Sequence, residues 1–320
     1  MITLSKIAKL AHVSVSTVSK AFSMSAEVSE ETRDAVFDIA KQYGVFKKYY
    51  RAKYPKHIIA VICPEFEGRD YSTALTALQK YLSAHNCEIC VASTNFSSET
   101  EKELLDYYNS YATVDGIICI GSSGAVSYSG EIPVAHICHS LSDAEISVNA
   151  SYDDGYKQAI AHLKESGVQT IGLLIEPHTV STLETLTNLC LETGYTEKDL
   201  FKSTSHARFN EGGYEAMEQL FKKNQIPEAI ICAYDNIAIG AMRCILDHGL
   251  KIPEDILVIG KNNNLETAYL NPPLASVDTN LELACEKAAS ALLAHLNGKP
   301  YDRHMTVKSE FILRESAIKK

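Results

Sequence analysis

From His57 onward the chain alternates short, almost uninterrupted apolar runs with segments of helical spacing, and few architectures accept that alternation. Ile58-Ile59-Ala60-Val61-Ile62-Cys63 leads into a helical pattern over 71–85, then an apolar run at 88–92, a helix at 99–108 and a run at 116–120. Strands that are apolar on both faces must be covered on both faces, so these segments predict a parallel sheet with helices on each side. Residues 134–138 add another strand. A second series follows, with helices at about 154–165, 180–192, 213–223 and 238–247 and strands at 170–175, 229–233 and 257–259. The prediction for 57–320 is therefore a body of two similar α/β lobes, each built on a doubly wound parallel sheet.

Residues 1–56 break this pattern. Leu4, Ile7, Ala8 and Ala11 stand at the i, i+3, i+4, i+7 spacing of one helical face, with Thr3 placed to cap it. His12-Val13-Ser14 interrupts the stripe before Val18 and Phe22 resume it, and Ser14 can cap a second helix running from Val15 to about Ser23. Ala8 and Ala11 are small enough for steeply crossing helices, and Val13 can plug the corner between them. A third helix begins after Val28 with Ser29 as cap, Glu30 and Glu31 at the positive end of its dipole, and Val36, Ile39 and Ala40 as its buried stripe. These segments predict a small all-α three-helix head.

Charge divides at the same boundary. Residues 1–56 hold ten Lys and Arg against five Asp and Glu, a balance of +5; the remainder stands at -15 within the total of -10. A basic head on an acidic body points to a polyanionic partner for the head alone. The exposed side of the second helix, with Val15, Ser16, Ser19 and Lys20, is short or basic and fits a groove. At its start, free N–H groups and the Ser14 and Thr17 hydroxyls can bind phosphate, while Val15, Ser16 and Lys20 can reach base edges.

Other motifs carry less. The nine cysteines, scattered from Cys63 to Cys285, suit a reduced protein better than a disulfide framework and read as core filler. Cys87 and Cys90 lie an odd number of residues apart on an apparent strand, so their side chains point to opposite faces. His136-Ile137-Cys138-His139 is weak for the same reason, and no metal is assigned. Met1 to Ile7 lacks the apolar stretch of a secretory signal, and no apolar run approaches the roughly 20 residues needed to cross a bilayer, so a cytoplasmic location is expected. No Gly-x-Gly-x-x-Gly, phosphate loop or Gly-x-Ser-x-Gly elbow follows a strand, which argues against an enzyme on the same architecture. A solute-binding protein would share the body but would need export and no basic head.

Thr3-Leu4-x-x-Ile7-Ala8-x-x-Ala11-x-Val13-Ser14-x-x-Thr17-Val18-Ser19, followed by Val28-Ser29-x-x-Thr32-Arg33, closely resembles the head of the lactose-repressor/galactose-repressor (LacI/GalR) family. The body carries further matching segments: Gly155 with Ala159 and His162-Leu163, Gly212-Gly213-Tyr214-Glu215-Ala216, Ala238-x-Gly240-Ala241, Gly249-Leu250-x-Ile252-Pro253-Glu254-Asp255 and Leu313-Arg314-Glu315-Ser316. The resemblance spans essentially the whole chain. It implies a DNA-binding transcription regulator with no catalytic residue and no cofactor, a periplasmic-binding-protein-like body, homodimerisation, double-stranded operator DNA as partner, and a small-molecule effector, typically a sugar or sugar derivative, between the lobes. Thr3, Ser14, Val15, Ser16, Thr17, Ser19 and Lys20 are its DNA-contact candidates.

The chain departs from the family in two places. The connector Lys47-Lys48-Tyr49-Tyr50-Arg51-Ala52-Lys53-Tyr54-Pro55-Lys56 is cationic and aromatic and able to lie along phosphates, but lacks the family's Pro-Asn-x-x-Ala-x-x-Leu hinge pattern. By position Arg51 replaces the alanine and Tyr54 the minor-groove leucine, so both join the DNA-contact candidates. In the cleft, the positions of the family's sugar-binding Asp, Arg, Asn and Asp are held by Cys138, Thr182, Tyr234 and Asn262. These four are the effector-site candidates, with Asp235 as an alternative cap for its helix. No leucine heptad follows Arg314, so a dimer rather than a tetramer is expected.

Overall fold

In the head, three serine and threonine hydroxyls start three helices. The computed structural model describes residues 2–50, 57–121, 128–138 and 145–319, with all their side chains except those of Lys47, Lys48 and Cys138. Helix α1 (Leu4–Leu10) is capped by Thr3 Oγ1, which accepts from Lys6 N. Helix α2 (Val15–Phe22) is capped by Ser14 Oγ, accepting from Thr17 N at 3.0 Å, and α3 (Glu30–Gln42) by Ser29 Oγ, accepting from Thr32 N at 3.3 Å. Between α1 and α2 the chain turns through His12 at φ 54°. Ile7, Ala8, Val18, Ala21, Phe22, Val36, Phe37 and Ala40 fill the core.

The connector begins later than its sequence suggests. Residues Phe46–Tyr49 form one short turn, α4, and Tyr50 after it is buried in the head core. Phe37 meets Phe46 and Tyr50 edge-on at 5.0 and 4.7 Å between ring centres, and Tyr49 Oη donates to the Ile2 carbonyl. The aromatic half of the stretch read as a DNA-tracking connector is therefore head core: each ring buries more apolar surface there than it could against a phosphate backbone. Arg51 and Tyr54 lie outside the described residues.

The body opens with β1 (His57–Cys63), α5 (Arg69–Ala84), β2 (Cys87–Ser93), α6 (Ser98–Ser110), β3 (Gly116–Ile120), β4 (Val134–Cys138) and β5 (Ile146–Ala150). It crosses to a second lobe of α7 (Asp153–Glu165), β6 (Ile171–Ile175), α8 (Val180–Glu192), β7 (Leu200–Thr204), α9 (Phe209–Lys222), β8 (Ala229–Cys232), α10 (Asp235–Asp247), β9 (Leu257–Lys261) and β10 (Ala275–Asp278). Helix α11 (Leu281–Leu296) and β11 (His304–Val307) return to the first lobe, and β12 (Glu310–Ile312) to the second. The sheets run β11-β5-β4-β3-β1-β2 and β12-β10-β9-β8-β6-β7, parallel throughout except for β12 against β10. Helices on both faces bury both sheets.

The three crossings lie side by side and are bonded to one another. Gly155 N donates to Ser309 Oγ at 2.9 Å, and a Cβ on Gly155 would stand 2.5 Å from Val277, so glycine lets the first crossing approach the other two. Asn280, in the left-handed region, reaches the Lys308 carbonyl at 2.9 Å. Three short adjacent segments are the physical basis of a hinge. The Leu313 to Ser316 stretch then locks the second lobe: Arg314 donates to the Leu274 carbonyl and Asn263 Oδ1, and Ser316 Oγ to the Val258 carbonyl. Among the described residues no helix is long and apolar enough to cross a membrane.

Candidate functional site

Two surfaces stand out, and the head provides the first. Thr3, Ser14, Val15, Ser16, Ser19 and Lys20 are exposed and Thr17 is half-buried, while Val18, Ala21 and Phe22 hold the opposite face of α2 in the core. Ser14 Oγ lies 2.9 Å from Ser16 Oγ and 2.7 Å from Thr17 Oγ1, so the first turn of α2 concentrates hydroxyls where N–H groups are free. Lys20 forms an ion pair with Glu27, a contact invisible to helical spacing. Both groups are well exposed, and such pairs contribute only about 0–1 kcal/mol, so Lys20 can exchange Glu27 for a nucleic-acid acceptor. Removing the cap in Ser14→Ala is expected to destabilise the head by about 1 kcal/mol, measured as a lower urea midpoint of the isolated transition or of the full chain.

The second surface is a cleft of about 650 Å³ between the lobes, at the carboxyl ends of the strands. Its centre is Arg208, between β7 and α9. Arg208 Nη1 and Nη2 donate to the two oxygens of Glu65 in the first lobe, at 2.6 and 2.8 Å, and Nε donates to Glu176 Oε2 in the second lobe at 2.9 Å. The bidentate bond to Glu65, reinforced by Glu176, holds the guanidinium firmly charged. Its plane lies near the rings of Phe209 and Phe96 at 4.5 and 5.4 Å. Phe96 stacks on His178 across the lobes at 3.9 Å. Phe96 and Phe209 both adopt positive φ, 60° and 53°, which is unfavourable for bulky residues and marks a site where the surroundings enforce geometry.

Two more contacts join the lobes. Arg69 binds Glu266 through Nε and Nη2 at 3.2 and 3.1 Å, and Asn262 Nδ2 donates to Asp70 Oδ1. Burial pushes the Asp70 carboxyl up from the usual range, against the pull of Lys261. Lys261 itself is buried with its ammonium 4.7 Å from the Tyr152 ring centre.

The sequence candidates fall unevenly. Thr182 and Tyr234 line the cleft, and the Tyr234 hydroxyl accepts from Phe209 N at 3.3 Å, supporting that strained residue. Asn262 binds Asp70 instead of presenting its amide to the cleft. Cys138 ends β4, and its side chain lies outside the described residues. Glu65, Phe96, Glu176 and Arg208 escaped notice, although each follows a strand end of a parallel sheet, where such folds bind ligands.

Asp235 is not a cap. It opens α10, but its carboxylate reaches sideways to accept from Ser276 Oγ at 2.7 Å and Asn264 N at 2.8 Å. Gly260 leaves room for it, since a Cβ there would stand 2.2 Å from Asp235 Oδ1. Burial outweighs both hydrogen bonds and pushes the Asp235 carboxyl up to about 7. The folded value lies above the unfolded one, so the contribution is fully present below about pH 3.8 and lost as pH rises through about 7, with a slope of at most about 1.4 kcal/mol per unit. The stability advantage of the native chain over Asp235→Asn is therefore expected to shrink between about pH 4 and about pH 7 in urea titrations and to level off above that. An advantage independent of pH would contradict this.

Comparison with known proteins covers both parts. Residues 3–45 match the model of bacterial regulatory proteins of the lacI family, and residues 160–317 that of the periplasmic binding protein-like domain. The chain is 28% identical over 306 residues to the HTH-type transcriptional regulator GalR of Streptococcus thermophilus, covering 88% of this chain and 89% of that one. In fold it is similar to the lac repressor dimer bound to operator and the anti-inducer ONPF, with TM-score 0.74, 20% identity and 98% of each chain covered. It is similar also to the transcriptional regulator CelR in complex with cellobiose, with TM-score 0.67, 23% identity and 99% and 100% covered. Head and body occur in the same order and over the same lengths as in these regulators, and the chain belongs to the LacI/GalR family of bacterial DNA-binding transcription regulators.

Proposed function

We propose that this regulator is a repressor acting as a cytoplasmic homodimer, with its two heads on a roughly two-fold operator and a small molecule between the lobes setting operator affinity. The working division is 1–56 for head and connector and 57–320 for the effector-binding and dimerising body. The observation that carries this reading is the exposed, hydroxyl-rich first turn of α2 on a head of net charge +5. Thr3 at the start of α1 and Ser14 and Thr17 at the start of α2 hold phosphates, and Val15, Ser16, Ser19 and Lys20 face base edges in the major groove. Arg51 and Tyr54 contact the backbone and minor groove from the connector, so Tyr54→Ala lowers operator affinity and DNA bending. One head offers few base contacts, and pairing two on a symmetric site supplies the rest.

The effector is a sugar or sugar derivative. A cleft of about 650 Å³ is of small-molecule size, and Thr179, Ser181, Thr182 and Thr185 offer hydroxyls beside aromatic rings. Tyr234 lines the cleft, Asn262 holds Asp70, which lines it too, and Cys138 stands at the end of the fourth strand. The cellobiose complex of CelR supports the ligand class. The test is operator affinity of the purified protein against a panel of mono- and disaccharides. One sugar is expected to change it about tenfold or more, with a smaller effect in Thr182→Val. A panel without effect would sink the sugar reading, and an undiminished response in Thr182→Val would remove that residue from the site.

A further inference from the structure

Behind the first lobe's sheet lies a second chemical cluster, away from the residues that line the cleft. Cys119 on β3 and His136 on β4 are directly paired in the parallel register, so their side chains stand side by side on one face of the sheet. Helix α6 covers that face and lowers Glu101, from its first turn, onto the pair. The carboxylate, thiol and imidazole bring one ligand atom each within 4.8 Å of one another, and all three residues are buried, Glu101 with 4% and Cys119 with 1% of its surface exposed. Glu101 Oε1 is fully buried with no hydrogen-bond partner. An unmatched carboxylate oxygen buried beneath α6 is costly unless something satisfies it.

We propose that Glu101, Cys119 and His136 bind a divalent transition-metal ion of the zinc class, with water in the fourth position. Thiolate, imidazole and carboxylate are the donors such an ion takes in tetrahedral geometry. Ligand atoms around such an ion stand about 3.5 Å apart, so modest side-chain rotations close the site. Charge favours the ion as well. Cys119 releases its thiol proton to solvent as the metal binds, and one thiolate, one carboxylate and one neutral imidazole then cancel the ion's two positive charges, which suits an apolar surrounding.

A second trio, Glu218, Cys244 and His248 on α9 and α10, serves as internal control. Its groups already satisfy one another: His248 Nε2 lies 3.3 Å from Glu218, Cys244 Sγ donates to Glu218 at 3.7 Å, and His248 Nδ1 meets the Cys244 carbonyl at 2.9 Å.

The experiment titrates cobalt(II) into the full-length reduced protein, reading stoichiometry and the thiolate-to-cobalt charge-transfer absorption. One ion per chain is expected, lost in Cys119→Ser, weakened at least tenfold in Glu101→Gln and retained in Cys244→Ala. Circular dichroism establishes that each variant is folded, and Glu101→Gln stands in should Cys119→Ser not fold. Cobalt is also expected to raise the melting temperature of the native chain and not that of Cys119→Ser. No saturable binding, or binding that survives Cys119→Ser and disappears in Cys244→Ala, overturns the proposal.

Discussion

Gly240→Ala is expected to lower the stability of the body by about 3 kcal/mol or more, at the upper end of what overpacking costs. Helices α9 and α10 cross so closely that each presses a glycine against the other's main chain. A Cβ on Gly240 would stand 1.8 Å from the Asn210 carbonyl oxygen, and one on Gly213 would stand 1.9 Å from that of Ile237. A clash with a flexible side chain is relieved by rotation. Here the obstacle is backbone, and the helices must separate by more than 1 Å. That separation loosens the core that Ala216, Met217, Leu220, Ala238, Ala241 and Ile245 build between them and the sheet. Against a total stability of about 5–15 kcal/mol such a loss leaves little margin. Gly249→Ala supplies the comparison: Gly249 has open space around it but φ of 76°, so only the conformational cost of about 1 kcal/mol applies. Urea unfolding is expected to rank Gly240→Ala far below Gly249→Ala, and the reverse order would show that the helix crossing is not the constraint.

Arg208→Met is expected to open the cleft. The substitution keeps most of the side chain's length and removes the charge that Glu65 and Glu176 share across the lobes. Glu176 is only 2% exposed and Glu65 13%, so both carboxylates would be left poorly solvated and unpaired, and their repulsion would push the lobes apart. Breaking a fully buried pair costs about 3–5 kcal/mol; Arg208 is 28% exposed, so about 2 kcal/mol is the expected loss. Small-angle scattering of the unliganded protein is expected to show a larger radius of gyration in Arg208→Met. A double Arg208→Met/Glu65→Gln variant should recover part of the difference, because one of the two stranded charges is gone. Unchanged dimensions would mean that the hinge crossings, rather than this ion network, set the lobe separation.

Sequence legibility followed the range of the interactions involved. The head was readable because its helices are short, locally capped by Thr3, Ser14 and Ser29, and amphipathic about a single core. In the body most of the buried strands announced themselves, but β5 and β10, buried and only five and four residues long, did not, nor did β7 at a sheet edge or β11 and β12, four and three residues long, because each carried too little pattern. Helix α11 was missed although it spans 16 residues, because its alanines and leucines are buried on several sides and leave no single stripe. With it went the three crossings that make the hinge.

The sites behaved likewise. Tyr49 and Tyr50 looked like a nucleic-acid tract because nothing local reveals that their rings turn back onto Phe37 and Ile2. Thr182 and Tyr234 reached the cleft because a family resemblance located them. Arg208 and Glu65 stand 143 residues apart in sequence, and only the closure of two lobes brings them together. The cluster of Glu101, Cys119 and His136 has no spacing signature, since it depends on the register of β3 with β4 and on α6 above them.

The central claim, that the head reads a DNA sequence, is tested most directly by selecting bound sequences from random duplex DNA with the full-length protein and a Ser16→Ala/Lys20→Ala variant in parallel. The account predicts a near-palindrome with half-sites about one helical turn apart, enriched by the native chain and lost with the variant, while general affinity for DNA at low salt changes little. Equal enrichment by both proteins, or none by either at moderate salt with or without the sugar panel, would contradict it.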